Sequence, residues 1–100
     1  MDPLHAFGDD VLGDLDGLAV AALVRDREVS RREVIEASLA RLAKVDGLHA
    51  VQLLDAERAL AADPVPGPFS GVPTFIKDNV DVAGWPTNAG SEAFVAHAAK

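Results

Sequence analysis

The hydrophobic pattern changes period several times along the chain, and turn residues mark each change. Asp16 precedes Gly17-Leu18-Ala19-Val20-Ala21-Ala22-Leu23-Val24-Arg25, a run with no polar interruption before its last residue. A carboxylate in that place accepts from the unpaired amides of a first turn, which predicts a helix over 17–25 with Asp16 as its cap. The run is apolar nearly all round, which predicts burial on more than one side. Ser30-Arg31-Arg32-Glu33 has the spacing of a capping box, in which Ser30 and Glu33 satisfy each other's backbone amides. Val34, Ile35, Ser38, Leu39, Leu42 and Val45 then recur at helical spacing. Arg31, Arg32, Glu36, Arg41 and Lys44 fall on the other side, and Gly47 is the natural stop.

Beyond Gly47 the expected elements are shorter. Leu48 to Leu54, with Val51, Leu53 and Leu54 apolar, predicts a short strand. Asp55 is placed to cap a helix through Ala56-Glu57-Arg58-Ala59-Leu60-Ala61-Ala62. Asp63-Pro64-Val65-Pro66-Gly67-Pro68 must be loop, because its prolines remove donors and fix φ. Val72-Pro73-Thr74-Phe75-Ile76 predicts a second strand and Val80-Asp81-Val82-Ala83 a third. Gly84, Pro86, Asn88 and Gly90 divide the next segment into turns, and Ser91 is placed to cap a last helix from Glu92 to Ala99. No repeat or low-complexity tract interrupts this order.

Composition narrows what these elements can build. One hundred residues allow one small domain, which buries only about two-thirds of its unfolded surface. Apolar residues make up 49%, but many are alanine, and the aromatic set is Phe7, Phe69, Phe75, Trp85 and Phe94. Such a core suits part of a domain better than a whole one. The net charge is −7, and much of it comes from Asp2, Asp9, Asp10, Asp14 and Asp16. Residues 1–14 are therefore expected to be an acidic, solvated lead-in to a unit spanning 15–100. No cluster of Lys and Arg with interleaved aromatics occurs, so neither nucleic acid nor an anionic membrane is an expected partner. Cysteine is absent, which excludes disulfides, thiolate metal sites and a cysteine nucleophile. His5, His49 and His97 are scattered without ligand spacing, so no metal or other cofactor is expected. Met1-Asp2-Pro3-Leu4-His5 lacks a basic and apolar leader, and no apolar run approaches the roughly 20 residues of a membrane span. A cytoplasmic location is the expectation.

One residue is set apart by its surroundings. Lys77 is the sole Lys or Arg between Ala59 and Ala99, and it follows an apolar strand and precedes Asp78-Asn79. Strand alternation would put it on the side of Phe75 and Pro73. A lysine removed from water there loses proton affinity and becomes able to take a proton. The plain alternative is a strand-end lysine that reaches water or pairs with Asp78. Glycines and prolines frame it on both sides: Gly67-Pro68-Phe69-Ser70-Gly71-Val72-Pro73 before, and Gly84-Trp85-Pro86 after. They permit close backbone approach, and they equally suit an ordinary connection between strands.

Gly67-Pro68-x-x-Gly71-Val72-Pro73-x-x-x-Lys77-Asp78-Asn79, followed by Asp81-Val82-Ala83-Gly84-x-Pro86-Thr87 and Gly90-Ser91, resembles the start of the amidase signature family. Upstream, Ala40-Arg41-Leu42-Ala43-Lys44-Val45, Ala50-Val51 and Asp55-Ala56-Glu57-Arg58-Ala59-Leu60 are similar in order. The resemblance covers about residues 15–97. It implies an α/β fold, of which this chain would be the N-terminal portion: helices plus the first strands of a central mixed sheet, incomplete here. It implies hydrolysis of a small-molecule carboxylic amide by a Ser–cis-Ser–Lys triad. One serine attacks the carbonyl, the second relays the proton, and the lysine, which aligns with Lys77, is the base. Both family serines sit in a Gly/Ser-rich stretch downstream of the lysine; Ser70 and Ser91 do not lie in such a run, so the chain alone is expected to be inactive. Asp46-Gly47 stands where Asn-Pro is common, and Asn88-Ala89 where threonine-containing pairs are common. Val82-Ala83-Gly84 looks more like a general amidase than the transamidating amidotransferase that modifies glutamyl-tRNA. A non-enzymatic interaction module, or a piece that complements a separately encoded remainder, are the rival readings. Neither substrate nor oligomeric state is written in these residues.

Overall fold

The computed structural model describes residues 4–89. Helix α1 spans Gly17–Arg25, and the Asp16 side chain accepts from Ala19 N at 2.9 Å, as its position before the apolar run requires. Helix α2 spans Arg31–Lys44. Both halves of its capping box form: Ser30 Oγ accepts from Glu33 N at 3.0 Å, and Glu33 Oε1 accepts from Ser30 N at 3.1 Å. Helix α3 spans Ala56–Ala61, capped by Asp55, whose carboxylate accepts from Arg58 N at 2.9 Å. Asp16, Ser30 and Asp55 therefore cap the helices that their spacing predicts.

None of the three expected strands forms. Residues 46–48 tighten into a 3-10 turn, and His49 follows in the left-handed region at φ 51°, which breaks the extended run expected from Leu48. Val51, Leu53 and Leu54 remain exposed in irregular chain. Residues 72–77 and 80–82 are likewise irregular, and the β character nearby is confined to isolated bridges at Ala83 and Pro86. The physical reason is partnership. A strand is stabilised by neighbours that pair its amides and carbonyls, and no second extended segment lies alongside among the described residues. Pro73 also lacks a donor. The expected helix from Glu92 to Ala99 lies outside the described residues.

Two long-range clamps come from arginines of α2. Arg31 donates to Ala59 O at 2.9 Å and to Leu60 O at 2.8 Å, carbonyls in the last turn of α3 where backbone acceptors lack intrahelical partners. Helices α2 and α3 pack together around this contact. Arg41 grips the lead-in. Its Nε donates to Asp10 Oδ2 at 2.8 Å, and its Nη2 donates to Asp10 Oδ1 at 2.6 Å and to Gly13 O at 2.7 Å. Asp10 Oδ1 also accepts from Leu12 N and Gly13 N, both at 3.0 Å. The lead-in is thus partly ordered, contrary to the solvated tail expected from its charge. A bidentate guanidinium fixes an acidic turn that composition alone assigns to solvent.

Among the described residues the buried core is small: Val20, Ala21, Val34 and Ile35. Helix α1 is covered over most of its circumference: Val20 and Ala21 are 4% exposed, Leu18 and Arg25 form its exposed edge, and the other residues are half-buried. The turn over residues 67–72 accounts for part of the covered face, with Phe69 beside Gly17 and Gly71 beside Val24. The radius of gyration is 15.1 Å, against about 13 Å for a compact domain of 100 residues. Phe75, Ile76, Val80, Leu53 and Leu54 are among the large side chains left at the surface. No helix among the described residues is long and apolar enough to cross a membrane.

Candidate functional site

Lys77 is exposed and opens a turn in which Val80 N donates to Lys77 O at 3.0 Å. The next residue closes a loop. Asp78 O accepts from Ala89 N at 2.9 Å, and Asp78 Oδ1 accepts from Asn88 N at 3.0 Å. Residues 78 and 88–89 thereby clasp the base of a loop that runs from 79 to 87. Within it, Thr87 Oγ1 donates to Asp81 Oδ1 at 2.6 Å, and Trp85 N donates to Val82 O at 2.9 Å. Gly84 sits at its tip with φ +82°, a conformation that favours glycine.

The tip is held from outside by α3. Arg58 Nη1 donates to Ala83 O at 3.1 Å, and its guanidinium carbon lies 4.7 Å from the centroid of the Trp85 ring. That is within reach of a cation–π contact. The turn before Lys77 is held by α1. Ser70 N donates to Gly67 O, Val72 N donates to Phe69 O, and Gly71 takes φ +87° against Val24. Lys77 is therefore flanked by one segment docked on α1 and one docked on α3.

Lys77 lines an open groove of about 1340 Å³ together with Phe75, Val82 and Trp85 from its own region and Leu39, Leu42 and Leu53 from the chain before it. The lining is largely apolar, and among the described residues its permanent cations are Lys77 and Arg41. Two of the serines are engaged by α2 itself: Ser30 caps it, and Ser38 Oγ donates to Val34 O at 2.9 Å. Among the described residues no group of three or more His, Asp or Glu is placed to hold a metal ion. Lys77 and its glycine frame, Trp85 included, stand out in the sequence; the contact of Arg58 with Trp85 and Ala83 does not. The available signal for that contact was that Trp85 is the sole tryptophan and stands inside the Gly84–Pro86 turn.

The sequence signature described as Amidase matches residues 26–100, which include all of α2, α3, Lys77 and the loop after it. The chain belongs to the amidase family. This amidase-family chain is 50% identical over 98 residues to a protein of Mycobacterium leprae named "Putative amidase AmiC", covering 95% of this chain and 21% of that protein. It is 36% identical over 94 residues to mandelamide hydrolase of Pseudomonas putida, with 82% of this chain and 18% of that enzyme covered. It is also 40% identical over 84 residues to the A subunit of the glutamyl-tRNA(Gln) amidotransferase of Acidothermus cellulolyticus, covering 73% of this chain and 17% of that protein. The chain spans about a fifth of the length of these relatives. No solved structure matches it.

Proposed function

We propose that these residues supply Lys77 as the base of a Ser–cis-Ser–Lys amidase site whose two serines come from outside residues 1–100. The observation that carries this reading is the placement of Lys77, at the clasped base of a loop and on the wall of an apolar groove. In the proposed reaction the neutral amine of Lys77 takes a proton from the second serine, which takes one from the first. The first serine's oxygen bonds to the amide carbonyl carbon, and the C–N bond breaks as the proton returns to the leaving ammonia or amine. Water then cleaves the acyl-serine ester to the carboxylate. A lysine serves in this way only when removal from water disfavours its charged form, so the exposed Lys77 must be covered by the remainder of the site.

The named relatives support hydrolysis of a small-molecule carboxylic amide as the leading activity. The 40% identity to an amidotransferase protein favours ammonia release toward an acceptor as the second reading. The test is a chimera in which the matching segment of this chain replaces the corresponding fifth of the Mycobacterium leprae relative. K77A is expected to lose at least about 10²-fold in kcat, the usual scale of a lost general base. K77R is expected to be nearly as slow, because a guanidinium stays charged. Near-normal turnover by K77R would show that a positive charge suffices and would rule out the base role.

A further inference from the structure

We propose that Arg58 is a positioning residue for Lys77, acting through the loop that both flank. The proposal rests on the reading of Lys77 as the base. Arg58 lies on α3, 19 residues before Lys77 in the sequence, yet its side chain makes two contacts at the loop tip: the hydrogen bond to Ala83 O at 3.1 Å and the stack on Trp85 at 4.7 Å. Both partners sit around Gly84, whose φ of +82° gives the tip its direction. From there the hydrogen bonds run back to the lysine. Trp85 N donates to Val82 O, Asn88 N and Ala89 N donate to Asp78, and Val80 N donates to Lys77 O. Trp85, Val82 and Lys77 line the same groove.

A backbone carbonyl and an aromatic face together need a planar cation with several N–H donors, which arginine provides. Helix α3 has no need of the Arg58 side chain for its own cap, because it is the backbone N–H of Arg58 that donates to Asp55. Alanine at 58 is therefore compatible with the helix and removes the tether alone.

The test uses the full chain first. R58A is expected to raise amide exchange at Trp85, Asn88 and Ala89 by about tenfold or more, with Val34 and Ile35 of α2 unchanged as the internal control. Trp85 is the sole tryptophan, so its fluorescence reports the same event: acrylamide should quench it more readily in R58A. R58K, which keeps a cation and a donor, should restore part of the protection, and R58M should restore none. In the chimera, R58A should lower kcat about tenfold with KM little changed. The double variant R58A/K77A should be no slower than K77A. Unchanged exchange and quenching in R58A would overturn the tether. Raised exchange with undiminished kcat would overturn its link to Lys77. Full activity of K77A would remove the base itself, and the loop exchange would then separate that failure from a failure of the Arg58 tether.

Discussion

Gly71 is the position where a single methyl group has the best-defined cost. Its φ is +87°, in the region that L residues avoid, and an added Cβ would come within 2.9 Å of Val24 Cγ1, with Val24 Cβ at 3.6 Å and Cγ2 at 3.7 Å. Backbone strain of this kind costs about 1–2 kcal/mol. Overpacking one methyl against a side chain that cannot retreat adds about 1–3 kcal/mol. Val24 is β-branched and helical, so one χ1 rotamer is strongly preferred and the contact is not relieved by rotation. G71A should therefore cost about 2–5 kcal/mol in the docking of the 67–72 turn on α1.

The direct assay is amide exchange at Ser70 and Val72, whose N–H groups donate to Gly67 O and Phe69 O inside the turn. A local cost of about 2 kcal/mol or more corresponds to roughly thirtyfold faster exchange, up to the ceiling set by global unfolding. The double variant V24A/G71A separates the two contributions. Trimming Val24 removes the steric part and leaves the backbone strain, so the pair should recover some of the loss in a non-additive way. Unchanged exchange in G71A would refute both parts of the reasoning. A double variant no better than the sum of the single ones would refute the steric part.

Three further outcomes follow from the caps, the Asp10–Arg41 pair and the proposed site. S30A removes one half of the α2 capping box and should destabilise that helix by about 1 kcal/mol, measured as a lower urea midpoint or faster exchange over its first turn. The Asp10 carboxyl is pushed down to about 2, first by the hydrogen bond from Arg41, with the amides of Gly13 and Leu12 adding to it against the opposing effect of partial burial. Its folded value lies below its unfolded one, so the Asp10–Arg41 pair contributes fully above about pH 4. It is lost as pH falls through about 2, which the amide shifts of Leu12 and Gly13 should track; D10N should lack the transition. Residues 1–100 alone should hydrolyse no amide, and turnover faster than that of the K77A chain would contradict the need for outside serines.

Local signals were legible in the sequence, and signals that depend on a distant partner were not. Asp16, Ser30 and Asp55 cap helices because each side chain reaches an amide three residues ahead, a geometry fixed by spacing alone. The strands failed for the opposite reason: alternation at Val72–Ile76 supplies a face, whereas the ladder requires a second segment that the described residues do not provide. Arg41 was assigned to the polar side of α2, but its side chain is only 17% exposed and lies against the chain that precedes α1. Nothing in its neighbours shows that Asp10, 31 residues earlier, will fill its fork. Lys77 stood out by isolation and by its resemblance. Arg58 did not, because an arginine on a short helix has many uses, and only the fold brings it to Trp85.

The exposed apolar residues and the placement of Lys77 belong to one physical situation. A core of Val20, Ala21, Val34 and Ile35 is too small to draw in Phe75, Ile76, Val80, Leu53 and Leu54. These side chains instead gather, with the lysine, along an open groove. Burying a large apolar side chain is worth about 1.5–3 kcal/mol, so covering that groove would be strongly favourable for whatever chain fits it. The same covering would strip water from Lys77, which is the condition a lysine base requires. Packing and chemistry are thereby coupled on the proposed reading: the surface that completes the core also activates the amine. The hydrogen bonds from Asn88 and Ala89 to Asp78 tie the backbone next to Lys77 at the base of its loop, so closure would have to cover only the exposed amine.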